Sequence, residues 1–273
     1  YLTSVFFPPI ELRRIKKEKL DIVFMLTPSQ VGLLGAAAAK KFNLPLVTQY
    51  STDLFEYITL YPEVLLGSIA LIGIASISIK AKPREVMKLA RDTRHHRKQM
   101  PFSQSLVRNS ITMLHNSCDA VISLSRKKQQ QMIDWGIHTR LEMIPTGVDA
   151  LPVSKEAAGL RAKLGIAEDD KVVLFAGRIA AEKNLDLLVD SFDQLVSLVP
   201  KARLVFVGDF EYRPVLEKKA SCIQNASKVI FTGRIPHEKL GDYYAMANVF
   251  AFPSLTDTQG LVIHEAALAG LPL

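Results

Sequence analysis

At 273 residues, with 48% hydrophobic and 22% charged side chains, the chain is long enough for two domains of ordinary size and can bury a core without covalent staples. Its two cysteines, Cys118 and Cys222, lie far apart in apolar stretches, which excludes a disulfide framework and a cysteine metal site and reads as two reduced, buried thiols of a cytosolic protein. The formal net charge is +7, but residues 80–98 hold eight Lys and Arg against Glu85 and Asp92, a net of +6, so the excess is one local feature and not the spread basic face of a nucleic-acid binder.

The chain opens on Tyr1, with no secretory signal, and soon reaches the basic cluster Arg13, Arg14, Lys16, Lys17 and Lys19. It closes on Leu271-Pro272-Leu273, which reads as the opening of a further buried strand, so we expect a fragment cut at both ends. An apolar run over 21–26 predicts a parallel strand, and Thr27-Pro28-Ser29 leads into a helix over 31–42 that Asn43-Leu44-Pro45 ends. Further strands are predicted over 46–50, 120–124 and 141–145, with Ser125 capping the helix that follows the second of these. Between them lie 16 residues without a charge, 64–79, shorter than the roughly 20 needed to span a bilayer.

A turn-rich connection over 146–154, with Pro152, marks the boundary between a first domain, 1–150, and a second, 151–273. The second alternates regularly: helix 157–164, strand 171–176, helix 185–198, strand 202–207, helix 215–223, strand 229–231, helix 239–246, strand 249–252, helix 261–269. Strand–helix alternation at this spacing predicts an α/β protein of two doubly wound, Rossmann-like domains with parallel sheets. No G-x-G-x-x-G follows any strand, which argues against a nicotinamide-dependent oxidoreductase.

In open α/β sheets ligands bind beyond the carboxyl ends of the strands, so the post-strand loops are where chemistry is sought. One runs Gly177-Arg178-Ile179-Ala180-Ala181-Glu182-Lys183-Asn184. Its Arg and Lys, beside the free amides of a helix start, can neutralise a diphosphate, although any single cation is more simply a solvated one. The other runs from Ser254 through Asp257, Thr258, Gln259, Gly260 and Leu261 to Glu265. Gly260 permits close backbone approach, and two acids flanking an anion-binding turn can hold hydroxyls of a sugar and a ribose. The plainer alternative, an acidic helix start favoured by the macrodipole, accounts for Asp257 better than for Glu265. The histidines His95, His96 and His115 read as surface or packing residues, and Trp135 as packing at a helix end.

The Asp257-to-Glu265 segment resembles the acidic motif of family 4 glycosyltransferases, two Glu separated by seven residues, with Asp257 in the first place. Gly177-Arg178 with Glu182-Lys183-Asn184 resembles that family's phosphate loop, and Ile144-Pro145-Thr146-Gly147-Val148-Asp149 its interdomain motif. Cys118-Asp119-Ala120-Val121-Ile122 followed by Ser125, and Thr27-Pro28 with Gly32-Leu33-Leu34-Gly35, resemble pieces of its N-terminal domain. The sequence looks nearest to members that glycosylate membrane lipids such as diacylglycerol.

The resemblance implies a GT-B fold, an acceptor-binding and a nucleotide-sugar-binding domain facing each other across a cleft. It implies a retaining hexosyl transfer from a nucleotide-diphosphate sugar to a hydroxyl acceptor without a metal or other cofactor. Arg178 and Lys183 would bind the diphosphate with the Gly260 and Leu261 amides, Glu265 the ribose, Asp257 the donor sugar, and Ile235 would lie near the base; Gly177, Thr258 and Gln259 complete the donor site. Ser51 stands where the family usually has His, and Gly208-Asp209-Phe210 where it has Gly-Asp-Gly. A binding protein without turnover is the alternative these departures leave open. The apolar-then-basic segment 64–98 can lie on an anionic membrane surface and admit a lipid acceptor, placing the protein peripherally on the inner face of the membrane; a buried helix followed by a solvated one is the competing reading.

Overall fold

A computed structural model describes residues 9–61, 73–96 and 99–273. Residues 64–72, 97 and 98 of the apolar and basic segment lie outside them. The chain divides into two compact units, Tyr1–Thr146 and Gly147–Leu273.

The first unit holds a parallel sheet of β1 (Val23–Met25), β2 (Leu46–Tyr50), β3 (Ala120–Ser123) and β4 (Arg140–Met143) in that order. Helix Gln30–Phe42 starts at Ser29, whose Oγ accepts the Gly32 amide, and stops at Asn43 in the left-handed conformation. Its Ala-rich face buries Leu33, Ala36 and Ala39 against Met25 and Leu46, with Leu114 of helix Phe102–Asn116 in the same cluster. Farther along the same face, toward the carboxyl ends of the strands, Tyr50, Val121, Ile111 and Met132 pack together, and Trp135, at the end of helix Arg126–Asp134, lies 5.0 Å from the Phe55 ring as a packing residue.

Two expectations are corrected. The apolar run at 21–26 is not a buried strand throughout: only Val23–Met25 pairs, on one side alone among the described residues, and Ile22, Phe24 and Leu26 stay about half exposed. Cys118 is buried, and burial pushes its thiol up to about 12, but Cys222 is exposed. Cys222 follows buried Ala220 by two positions on a helix end, roughly 200° around the axis and so facing away from the core.

A polar network closes the carboxyl end of this sheet. Lys128 is fully buried despite sitting in a run of three cations, and its ammonium bonds Asp53 and, at 3.0 Å, Gln131 Oε1. The Tyr50 hydroxyl donates to Asp53 Oδ1 at 2.8 Å; burial and that carboxylate hold the phenol well above its ordinary range. His115 is buried beside the Tyr50 ring, its Nδ1 donating to Ile111 O at 2.7 Å, and burial lowers its pKa to about 4.

The second unit holds β5 (Lys171–Ala176), β6 (Ala202–Val207), β7 (Val229–Gly233) and β8 (Val249–Phe250), all parallel, in the order β7-β6-β5-β8. Its two sides are filled by separate clusters, one around Phe175, Phe206 and Phe192, the other around Leu174, Val205, Tyr244 and Phe250. The direction of strand addition reverses between β5 and β8. That reversal is where such sheets open a ligand crevice. The closing residues 271–273 form no strand, although Pro272 O accepts the Phe250 amide at 2.7 Å.

Removing either member of the Lys128–Asp53 pair leaves a buried charge alone, so Lys128→Met and Asp53→Ala each lower unfolding free energy by about 3–5 kcal/mol. The double variant lies closer to the wild type than the sum of the two, and a urea double-mutant cycle measures the difference. His115 gives a pH test. Its folded pKa of about 4 lies below the unfolded value of 6.5, so the unfolded chain takes up the proton first as pH falls. Stability complete above pH 6.5 is lost progressively toward pH 4, by up to about 3 kcal/mol. His115→Gln removes that part of the acid sensitivity in urea melts at pH 7 and pH 4.5.

Candidate active site

Four loops follow the carboxyl ends of β5 to β8. The loop after β5 leaves the sheet through Gly177, at φ +148°, and contains a one-turn 3-10 helix, Ala181–Lys183. Asn184, left-handed at φ +55°, then starts helix Leu185–Leu198. Gly208, after β6, is fixed by close approach: a Cβ there would stand 1.9 Å from Gly177 O. Only glycine lets the two strand ends run side by side.

Lys183 is buried, and its ammonium donates to both oxygens of Asp257, at 2.8 and 2.7 Å, across the gap between the β5 and β8 loops. It also lies 5.5 Å from the centre of the Phe252 ring, a favourable cation–π placement. Arg178 extends outward, its guanidinium 3.1 Å from Glu182 Oε1 and 5.0 Å above the Phe210 ring. The two cations of the phosphate-like loop thus each meet one carboxylate and one aromatic ring.

Past Asp257, Thr258 is buried, and Gly260 turns the chain at φ +65° into helix Leu261–Leu268, with Gln259 in the preceding turn. Glu265, on the first turns of that helix, is buried and accepts from Tyr244 Oη at 2.9 Å. Its other oxygen lies 3.0 Å from His237 Nε2. Burial, with Glu265 beside it, raises the Tyr244 phenol far above its ordinary range.

A cavity of about 960 Å³ opens beside these loops. Gly177 and Arg178 form one wall, Gly208 and Phe210 another, and Ile235 and His237 a third. The structure therefore gathers Gly177, Arg178 and Ile235 around one space, joins Lys183 to Asp257, and connects Glu265 to the cavity through His237. Lys183, Asp257 and Gly260 are not among the residues lining that space. Ser51 belongs to the first unit, at the end of β2, where its Oγ donates to Leu26 O at 2.9 Å. Among the described residues no group of three or more His, Cys, Asp or Glu is placed to hold a metal ion.

His237, Tyr244 and Arg234 also belong to this region and were not singled out by the sequence, whereas Phe210 was noted there only as a departure from the family's Gly-Asp-Gly. Two signals were available. His237 stands two positions after Ile235 in the same loop, and a tyrosine inside an apolar helix needs a partner for its hydroxyl, which a buried acid such as Glu265 supplies.

Comparison with known proteins gives two matching family profiles, Glycosyltransferase Family 4 over residues 2–150 and Glycosyl transferases group 1 over residues 157–273. The alpha-monoglucosyldiacylglycerol synthase of Acholeplasma laidlawii is 32% identical over 98% of this chain and 62% of its own length. The enzyme of that name from Streptococcus pneumoniae is 26% identical over 94% of this chain and 52% of its own length. The chain thus spans between half and two thirds of these curated relatives. Among solved structures, Anabaena HepE in complex with UDP superposes with a TM-score of 0.66 at 20% identity, over 96% of this chain and 61% of that one. This likeness establishes the GT-B glycosyltransferase fold.

Proposed function

The chain belongs to glycosyltransferase family 4, and we propose that it is the greater part of a retaining hexosyltransferase acting from a nucleotide-diphosphate sugar onto a hydroxyl of a membrane lipid such as diacylglycerol. The observation that carries this reading is the meeting, at the strand-order reversal, of a cationic loop after β5 with an acid-and-glycine turn after β8. In the proposed complex the base enters the cavity beside Ile235, and Glu265 and His237 lie toward the ribose. Arg178 and Lys183 meet the diphosphate with the Gly260 and Leu261 amides. These positioned charges stabilise the negative charge that grows on the leaving diphosphate, and such electrostatic stabilisation usually contributes most to the rate of reactions of this kind. Asp257 and Thr258, with Gln259, face the donor sugar. The acceptor hydroxyl attacks from the leaving-group face through an oxocarbenium-like state, so no carboxylate has to act as nucleophile and no cofactor is required beyond the nucleotide sugar.

The second unit is the donor module in this reading and the first the acceptor module, with Ser51 in the place of the family's usual His. The lipid assignment draws on the names of the relatives and on the basic segment. Helix Pro83–His96 exposes Arg84, Lys88, Arg91 and Arg94 together with Val86 and Met87, the mixture that suits the headgroup layer of an anionic membrane. No helix among the described residues is long and apolar enough to cross a membrane. From the basic helix and the lipid-acting relatives we propose a peripheral place on the cytoplasmic face of the membrane.

Two experiments test this. A nucleotide sugar at about 100 times its dissociation constant stabilises the folded protein by about 2.7 kcal/mol, and a thermal-shift screen of nucleotide sugars detects it. Arg178→Ala and Lys183→Ala lose the shift given by the correct donor; a full shift in both places the donor elsewhere. In flotation with vesicles containing phosphatidylglycerol the wild type rises with the lipid. A variant with Arg84, Lys88, Arg91 and Arg94 changed to Gln stays in the aqueous fraction, and equal flotation of the two rejects the membrane surface.

A further inference from the structure

We propose that Lys183 and Asp257 form a latch that the donor diphosphate opens, and that Asp257 thereby makes the site prefer an intact nucleotide sugar over the nucleoside diphosphate it releases. The inference rests on the donor-site reading above.

One ammonium uses two of its three donors on the two oxygens of Asp257. A diphosphate bound at the same loop needs that ammonium, because the other loop cation, Arg178, is already shared with Glu182. Lys183 cannot neutralise both anions. A diphosphate held at hydrogen-bonding distance from Lys183 also brings its charge close to the Asp257 carboxylate, and the two repel strongly at the edge of a protein interior. The clasp therefore opens when the diphosphate binds.

The fate of the freed Asp257 depends on the rest of the ligand. A released carboxylate is acceptor-only and requires hydroxyl donors. The hexose of a nucleotide sugar carries several, next to the phosphate. A nucleoside diphosphate without sugar carries none there, so Asp257 is left charged, beside an anion and short of donors. Its Asp side chain, one methylene shorter than Glu, ties the carboxylate to the immediate neighbourhood of the phosphate loop and strengthens this effect. The accessibility of the pair fits an exchangeable contact: Asp257 keeps 28% of its side-chain surface exposed, whereas Asp53 in the other Lys–Asp pair keeps 1%.

The test is calorimetric titration of UDP, UDP-glucose, GDP and GDP-mannose into the wild type and Asp257→Asn. The wild type binds the sugar nucleotide of its preferred base more tightly than the matching diphosphate. Asp257→Asn binds that diphosphate about tenfold more tightly than the wild type, the scale of one charge-assisted contact no longer opposed, and loses the preference for the sugar nucleotide. A folded Asn variant that binds the diphosphate equally or more weakly overturns the latch. A second measurement needs no variant: in crystals of the wild type with the diphosphate alone, Lys183 Nζ lies beyond about 4 Å from both Asp257 oxygens, outside ion-pair range. A clasp still closed around a bound diphosphate overturns the proposal. If none of the four nucleotides binds the wild type, the donor-site reading itself fails, and the latch with it.

Discussion

The bond between Lys183 and Asp257 spans 74 positions of sequence and ties together two loops that meet only because the strand order of the second sheet reverses between β5 and β8. The site depends on that adjacency. Aromatic packing prepares it from below: the rings of Phe231, Phe206, Phe175 and Phe252 succeed one another at 4.9, 5.9 and 6.0 Å, from β7 through β6 and β5 to the start of the loop after β8. Phe206 and Phe175 are fully buried, each contributing on the order of 1.5–3 kcal/mol, Phe231 and Phe252 are partly buried, and as a row the four fix the spacing of the strand ends. Phe252 is the last of the row and also the ring beneath the Lys183 ammonium, so core packing and site electrostatics share one side chain.

A similar sharing of roles appears in the charged residues. Glu182, Glu265 and Lys183 are all buried or nearly so, and a buried charge is tolerated only with partners. Arg178 answers Glu182, Tyr244 and His237 meet Glu265, and Asp257 answers Lys183. In the proposed complex the groups that meet the diphosphate and the ribose are thus held in place beforehand by internal contacts, and binding exchanges their partners. This keeps the geometry organised while limiting the net gain, since each new contact replaces an old one.

Much of the fold could be read from the sequence because parallel strands buried on both faces appear as short apolar runs, and β5 and β6 fall on the expected positions, 171–176 and 202–207. Helix Phe102–Asn116 was not legible. Its inward face mixes Val107, Ile111 and Leu114 with Ser105, Asn109 and His115, whose hydrogen bonds to Thr93, its hydroxyl or its carbonyl, and to Ile111 satisfy them in the interior and dilute the apolar stripe that betrays an amphipathic helix. Lys128 was hidden for a related reason. Three cations in a row suggest a solvated surface, yet successive helical residues point about 100° apart, so the three spread over about 200° and need not share one environment; Lys128 is the one that turns inward. In the candidate site, residue types at loop positions indicated Arg178, Lys183 and Asp257 singly. That two of them bond each other depends on the strand order, which no local pattern encodes.

The two units place a Lys–Asp pair at the same kind of position, joining segments that follow neighbouring parallel strands: Asp53 after β2 with Lys128 after β3, and Lys183 after β5 with Asp257 after β8. Their surroundings differ in one respect that decides what each can do. The first pair is sealed, at 2% and 1% side-chain exposure, and its aspartate is also bound by the Tyr50 hydroxyl. Opening it would strand two charges in the interior, so it can only hold the loop after β2, with Ser51, in one conformation. The second pair is partly solvated, and an incoming anion can take one partner while the hydroxyls of a sugar take the other. A salt bridge at a strand end is therefore a brace or a contact to be exchanged according to whether ligand and solvent can reach it, and in this chain each sheet has one of the two.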